Sequence, residues 1–262
     1  MQSALDQFRI SIGRVRDLIA LHNSVKVQAT SVLDVSDMLR AALVLAVSTL
    51  DYYVHEVVTL GMLEIHRGQS SEPMPSANTT QSPFSRFQVS LGGARQDRVA
   101  AIDIASWLEV EIQQIHGYTF LQQSYTVSAL IPAISNSILN RLNNASWLED
   151  EIRERLGYQS FQQADKIAEA VRYISDKKLW DEVANKMSKP TKDIKQQLNS
   201  IVDRRNKIAH EADIDPTFNI GNRCTLMKCL LVMQLILLSR SLQAFIKCCR
   251  HNKCCTSKIN ID

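Results

Sequence analysis

Glycine and proline are scarce in this chain, with eight and six among 262 residues. That scarcity, beside abundant Leu, Ala, Ile and Gln, favours helix over sheet and predicts an all-α fold. No P-loop or metal-protease pattern occurs, and no Gly-Ser followed by paired aspartates. These gaps argue against phosphate-loop, zinc-protease and nucleotidyltransferase chemistry. Long apolar runs are missing too. The longest, around Cys229 to Leu238, is too short for a bilayer and is flanked by Lys228 and Arg240. With no basic-then-apolar leader in view, the expectation is a cytoplasmic protein with no membrane partner. Cysteine is absent before position 224, and all six cysteines fall in the final 39 residues, four of them in a tail at 248–262. Thiols beside His251 can bind zinc, but adjacent pairs do not have the usual two-residue spacing of a zinc knuckle. Reduced thiols on a cytosolic tail are the default, and no metal or cofactor is expected.

What is present is long enough to bury a sizeable core as one domain over 1–262. The net charge of +3 hides an asymmetry. Residues 1–171 hold 13 basic and 18 acidic side chains, whereas 172–262 hold 17 and 9. A basic face of that kind suits nucleic acid, and it also occurs on ordinary solvated helices.

Helical periodicity organises most of the chain. Leu5, Phe8, Ile12, Val15 and Ile19 recur at three- and four-residue steps, predicting an amphipathic helix over 4–21. A second helix, over 35–65, is apolar almost all round and is expected at the centre, starting at Asp34 or Ser36 as a cap. Between 68 and 93 the period dissolves into a Pro- and Ser-rich loop, with Phe84 and Phe87 placed to pin its end. Two short helices over 165–187 are anchored by Ile167, Val171, Ile174, Leu179, Trp180 and Val183. After Pro190, Thr191 is placed to cap a helix whose stripe runs Ile194, Leu198, Ile201, Val202 and Arg205. A last helix is expected over 222–247.

An internal repeat interrupts this order. Ala-Ser-Trp-Leu-Glu at 105 returns at 145, and 11 of 19 positions agree through Gln122-Gln123 against Gln162-Gln163. Two copies fall short of a solenoid. They predict a helical insertion over 105–163, each copy starting at a serine cap and packing its Trp-Leu pair inward.

Chemistry concentrates in RRNKIAHEADIDP, residues 204–216. An arginine followed four to six residues later by a histidine is a weak pattern; chance supplies about one match at this composition, and Arg16 with His22 also fits. The surrounding residues make the second match distinctive. Arg205 falls on the apolar stripe of its helix, where a charge needs a partner or a job. A guanidinium clamps phosphate oxygens through two parallel hydrogen bonds, and an imidazole moves protons near neutral pH. Asn206, four residues before His210, shares its face and can hold the ring or a phosphate oxygen. Cleaving RNA without a metal needs a base for the 2′-hydroxyl, an acid for the leaving 5′-oxygen, and positive charge on the phosphate. One chain supplies one such histidine, so a two-fold dimer would supply both acid and base.

The segment resembles the signature of the HEPN superfamily, particularly its RiboL-PSP-HEPN branch. The likeness is specific over 191–216, looser over 37–64, and poor over the repeat. It implies a HEPN-like helical bundle and a metal-independent endoribonuclease, a toxin or phage-defence effector, with a composite site at a homodimer interface and a cognate antitoxin or regulator as partner. Arg205, Asn206 and His210 would be catalytic, and Arg204 and Lys207 would bind the RNA. Asp51 and His55, four apart on the second helix, would support the site from a neighbouring helix, or would simply bond each other. Two alternatives stay open. Arg205 could pair with Asp203, Glu211 or Asp213 while His210 caps a helix end, and the protein could be a non-catalytic module that dimerises or binds RNA or nucleotide.

Overall fold

The computed structural model describes residues 2–28, 34–75, 80–87, 112–113, 117–118, 126–143, 145–211 and 213–214. Among these, all regular secondary structure is helical, as the composition predicts. The seven helices are α1 (Gln2–Gln28), α2 (Ser36–His66), α3 (Val127–Asn143), α4 (Ala145–Gly157), α5 (Ala164–Val171), α6 (Leu179–Met187) and α7 (Thr191–Glu211). The helix expected over 222–247, the cysteine-rich tail with its zinc alternative, and most of the first repeat copy lie outside the described residues.

The chain divides into two compact units, Met1–Phe84 with Gln159–Asp262, and Ser85–Tyr158. This differs from the single domain with an insertion over 105–163 expected above. The second unit starts earlier and ends at Tyr158, which leaves Gln162-Gln163 of the second repeat copy in the first unit.

In the first unit α2 is central. Leu43, Ala46, Val47, Leu50, Val54, Val58 and Met62 are all buried. Burial of each larger apolar side chain contributes about 1.5–3 kcal/mol. By length and composition α2 is apolar enough to cross a membrane, but its sides pack against α1, α5 and α7. From α1 come Leu5, Phe8, Ile12 and Val15, all buried. Phe8 meets Tyr53 with ring centroids 4.8 Å apart.

The cap of α2 is Val35, without a side-chain cap bond, rather than Asp34 or Ser36 as expected; Asp34, just outside the helix, accepts the Ser36 N–H through Oδ1 at 2.9 Å. The end of α2 is a left-handed turn. Gly68 has φ +69, and the Gln69 N–H reaches back to the Glu64 carbonyl at 2.8 Å. A side chain at that φ would be strained, so glycine fits there.

Helices α5, α6 and α7 close the unit. Ile194, Leu198, Ile201 and Val202 form the buried stripe of α7. The Thr191 cap is corrected: its hydroxyl donates to Asp181 Oδ1 at 3.1 Å. The Pro190 carbonyl instead accepts from the N–H groups of Asp193 and Ile194.

In the second unit α4 buries Leu148, Ile152 and Leu156 on one stripe, and Glu149 pairs with Arg153 at 2.8 Å. Arg155 sits over the Phe87 ring, 5.5 Å from its centroid. Ser146 lies inside α4 rather than at a cap, because the helix already begins at Ala145. The side chains of Trp107 and Trp147 are outside the described set.

Candidate functional site

Successive helical residues advance about 100°, so Arg204 and Arg205 leave α7 in different directions. Arg204 turns to the base of α2, where its Nη2 donates to Asp213 Oδ2 at 2.8 Å. The same oxygen accepts from Arg40 Nε at 2.7 Å. Arg40 also donates to Ser36 Oγ and lies 3.4 Å from Asp37. The Asp213 side chain is fully buried, and its backbone is left-handed at φ +58. This cluster fastens the turn after α7 to the first turn of α2.

Arg205 continues the buried stripe and has no carboxylate partner among the described residues. Its Nη1 donates to Asn206 Oδ1 at 3.0 Å. Its Nε is buried without an acceptor, a deficit that costs about 1–3 kcal/mol in a folded protein. Asp213, one of the three carboxylates that could have neutralised it, is committed to Arg204 and Arg40.

Arg205, Asn206 and Val202 form one wall of a groove of about 790 Å³. The other wall comes from the segment leading into α5, with Gln159, Ser160, Gln162 and Gln163, and from Lys166 in its first turn. Among the described residues the lining thus carries two cations, four amides and no carboxylate.

The second wall is fixed by α2, α6 and α7. Asp51 Oδ1 accepts the Phe161 N–H at 2.6 Å, and Oδ2 accepts from Gln162 Nε2 at 3.0 Å. His55 packs against Phe161 with the rings tilted by 47° and centroids 4.5 Å apart, and stands 3.7 Å from Asp51. Asn199 accepts the Ala164 N–H at 3.1 Å, while Trp180 Nε1 donates to the Ala164 carbonyl at 2.7 Å. Lys166 donates to Glu169 at 2.8 Å, and this bond raises its pKa above the ordinary lysine value.

The sequence-predicted residues therefore separate. Arg205 and Asn206 meet in the groove, and Asp51 and His55 stand behind its far wall. His210 is exposed one turn beyond Asn206 on the same flank, about 6 Å further along the axis. Its ring has no hydrogen-bond partner among the described residues. Lys207 is exposed, and its carbonyl accepts the Asp213 N–H at 3.2 Å. Arg204 faces Asp213 and does not line the groove. The competing match on α1 is split, with Arg16 exposed and His22 buried. Gln159, Gln162, Gln163 and Lys166 were not foreseen as site residues, unlike Asn206; the Gln-Gln pair closing both repeat copies was the one signal for them.

No group of three or more His, Cys, Asp or Glu side chains among the described residues is arranged to hold a metal ion. Comparison of the chain with protein-family models, curated proteins and solved structures finds no match.

Proposed function

We propose that this chain is a cytoplasmic, metal-independent endoribonuclease of HEPN type, acting as a homodimer in a toxin or phage-defence setting with a cognate regulator. The observation that carries this reading is Arg205. It is a half-buried guanidinium without a carboxylate partner among the described residues, in a groove that Lys166 also lines. Such an arrangement receives an anion, and the neighbouring Asn206 and exposed His210 suit that anion to a phosphodiester.

A base removes the proton of a 2′-hydroxyl, and that oxygen attacks the adjacent phosphorus. The bond from phosphorus to the 5′-oxygen breaks, and an acid protonates the departing oxygen. The products are a 2′,3′-cyclic phosphate and a free 5′-hydroxyl. Arg205 offsets charge on the phosphate, and the two proton transfers fall to His210 of each subunit across a two-fold axis. The His210 ring also favours a second reading, a non-catalytic RNA-binding module, because no neighbour among the described residues fixes the imidazole for proton transfer.

Purified protein incubated with total RNA in EDTA separates the two. Nuclease action gives fragments with the stated ends and a specific activity that falls on dilution. Arg205→Ala and His210→Ala should each lower the rate at least about 10²-fold. Cleavage retained in either variant, or no cleavage by the parent, contradicts the nuclease reading.

A further inference from the structure

Gln162 and Lys166 belong to no part of the Arg/Asn/His arrangement, yet they face it across the groove. A carboxylate such as Asp51 only accepts hydrogen bonds, so the Gln162 amide must turn its NH₂ toward Asp51 at 3.0 Å. Its Oε1 is thereby set as an acceptor, and it has no partner among the described residues. The backbone that carries it is equally fixed. The Phe161 N–H is tied to Asp51, Ala164 to Asn199 and Trp180, and the Phe161 ring is buried. This wall is preorganised, so ordering it costs a ligand little. Lys166 adds an exposed ammonium, one of whose three N–H donors goes to Glu169.

We propose that segment 159–166 is the substrate-recognising wall of the site, with Lys166 contacting an RNA phosphate and the Gln162 carbonyl accepting from the N–H edge of an unstacked base. The ligand class is therefore single-stranded RNA. This rests on the nuclease reading for the identity of the anion at Arg205. A volume of about 790 Å³ lies within the roughly 300–1,000 Å³ of ligand sites. An acceptor in a groove that Arg205 and Lys166 also line is reached by a base splayed from its neighbours, the form in which sequence-specific RNA recognition usually meets its target. Asp51 is a positioning residue here, acting through Gln162 and Phe161.

The test is fluorescence anisotropy with a labelled RNA octamer, single-stranded or annealed to its complement, on His210→Ala protein so that no turnover intervenes. Single strands should bind at least tenfold more tightly than the duplex. Adding Lys166→Gln should weaken binding about fivefold and reduce the salt slope by about 0.7, the value of one phosphate contact on a single strand. Adding Gln162→Leu should weaken binding about tenfold with the slope unchanged. Lys166 is exposed, so its variant reports even if Gln162→Leu fails to fold. Equal binding of duplex and single strand, or a Lys166→Gln affinity within twofold of the parent, overturns the proposal. Cleavage of the same octamer by the wild-type chain is measured in parallel. Wall-dependent binding without cleavage sinks the nuclease reading and leaves the wall, whereas cleavage whose KM ignores both wall variants does the reverse.

Discussion

Arg204 and Arg205 sit next to each other on α7, and the helical rotation between them decides what each can do. Arg204 meets a buried carboxylate that it shares with Arg40; Arg205 meets the groove. Asp213 is the pivot of the first arrangement. Replacing it with Ala would remove the buried carboxylate shared by two largely buried guanidinium groups, with side-chain exposures of 8% for Arg40 and 16% for Arg204. Removing one partner of a buried ion pair costs about 3–5 kcal/mol, and the partial exposure of Arg204 with the Ser36 contact to Arg40 places Asp213→Ala near about 3 kcal/mol. Urea unfolding measures this; a loss below about 1 kcal/mol would show that the cluster is dispensable. Asp213 was visible in the sequence as part of RRNKIAHEADIDP. Its link to Arg40 was not, because the two are 173 positions apart and no local spacing encodes such a contact.

Among the helices, legibility follows period. The α7 stripe from Ile194 to Val202 could be read directly, since burial of one helical face imposes a 3.6-residue repeat. The groove wall at 159–163 could not. Apart from the buried Phe161 its residues are polar, the run is aperiodic, and its position is set by hydrogen bonds donated to Asp51, 110 residues earlier in the chain. Helix ends were misread where a neighbouring element competed for the cap, as when Asp181 took the Thr191 hydroxyl. The end of α6 carries a related cost. Ser188 adopts φ 52, ψ 41 while the Lys189 N–H returns to the Ala184 carbonyl. Left-handed backbone costs a non-glycine residue roughly 1–2 kcal/mol, partly offset by the roughly 0.5–1 kcal/mol entropy cost of glycine. Ser188→Gly should therefore stabilise the protein by about 0.5–1 kcal/mol in a denaturant titration, and a destabilised variant would mean the hydroxyl contributes more than the strain.

For the molecule as a whole, the α1–α2 pair supplies part of the core of the first unit and also a pH limit. Burial raises the Tyr53 phenol well above its ordinary value, against a smaller opposing effect of Arg9. The unfolded chain, with a phenol near pH 10, loses this proton first. Stability fully present below about pH 10 is then lost as pH rises toward the folded value. Tyr53→Phe should make the alkaline decline in stability shallower, and an unchanged decline would assign it to other groups. The all-α class was legible because composition and period agree along nearly every described helix. The division at Ser85 and Tyr158 was not, since the second repeat copy runs across the boundary without a break in pattern. The function proposed for the whole rests on one arginine being structural and its neighbour being free to act. Arg204→Ala and Arg205→Ala should therefore be compared side by side for Tm and for RNA cleavage in EDTA. The expected result is a crossed pattern: Arg204→Ala lowers Tm and keeps cleavage within a few-fold, while Arg205→Ala keeps Tm and loses cleavage at least about 10²-fold. Full cleavage by Arg205→Ala, or a fall in its Tm matching that of Arg204→Ala, would contradict it.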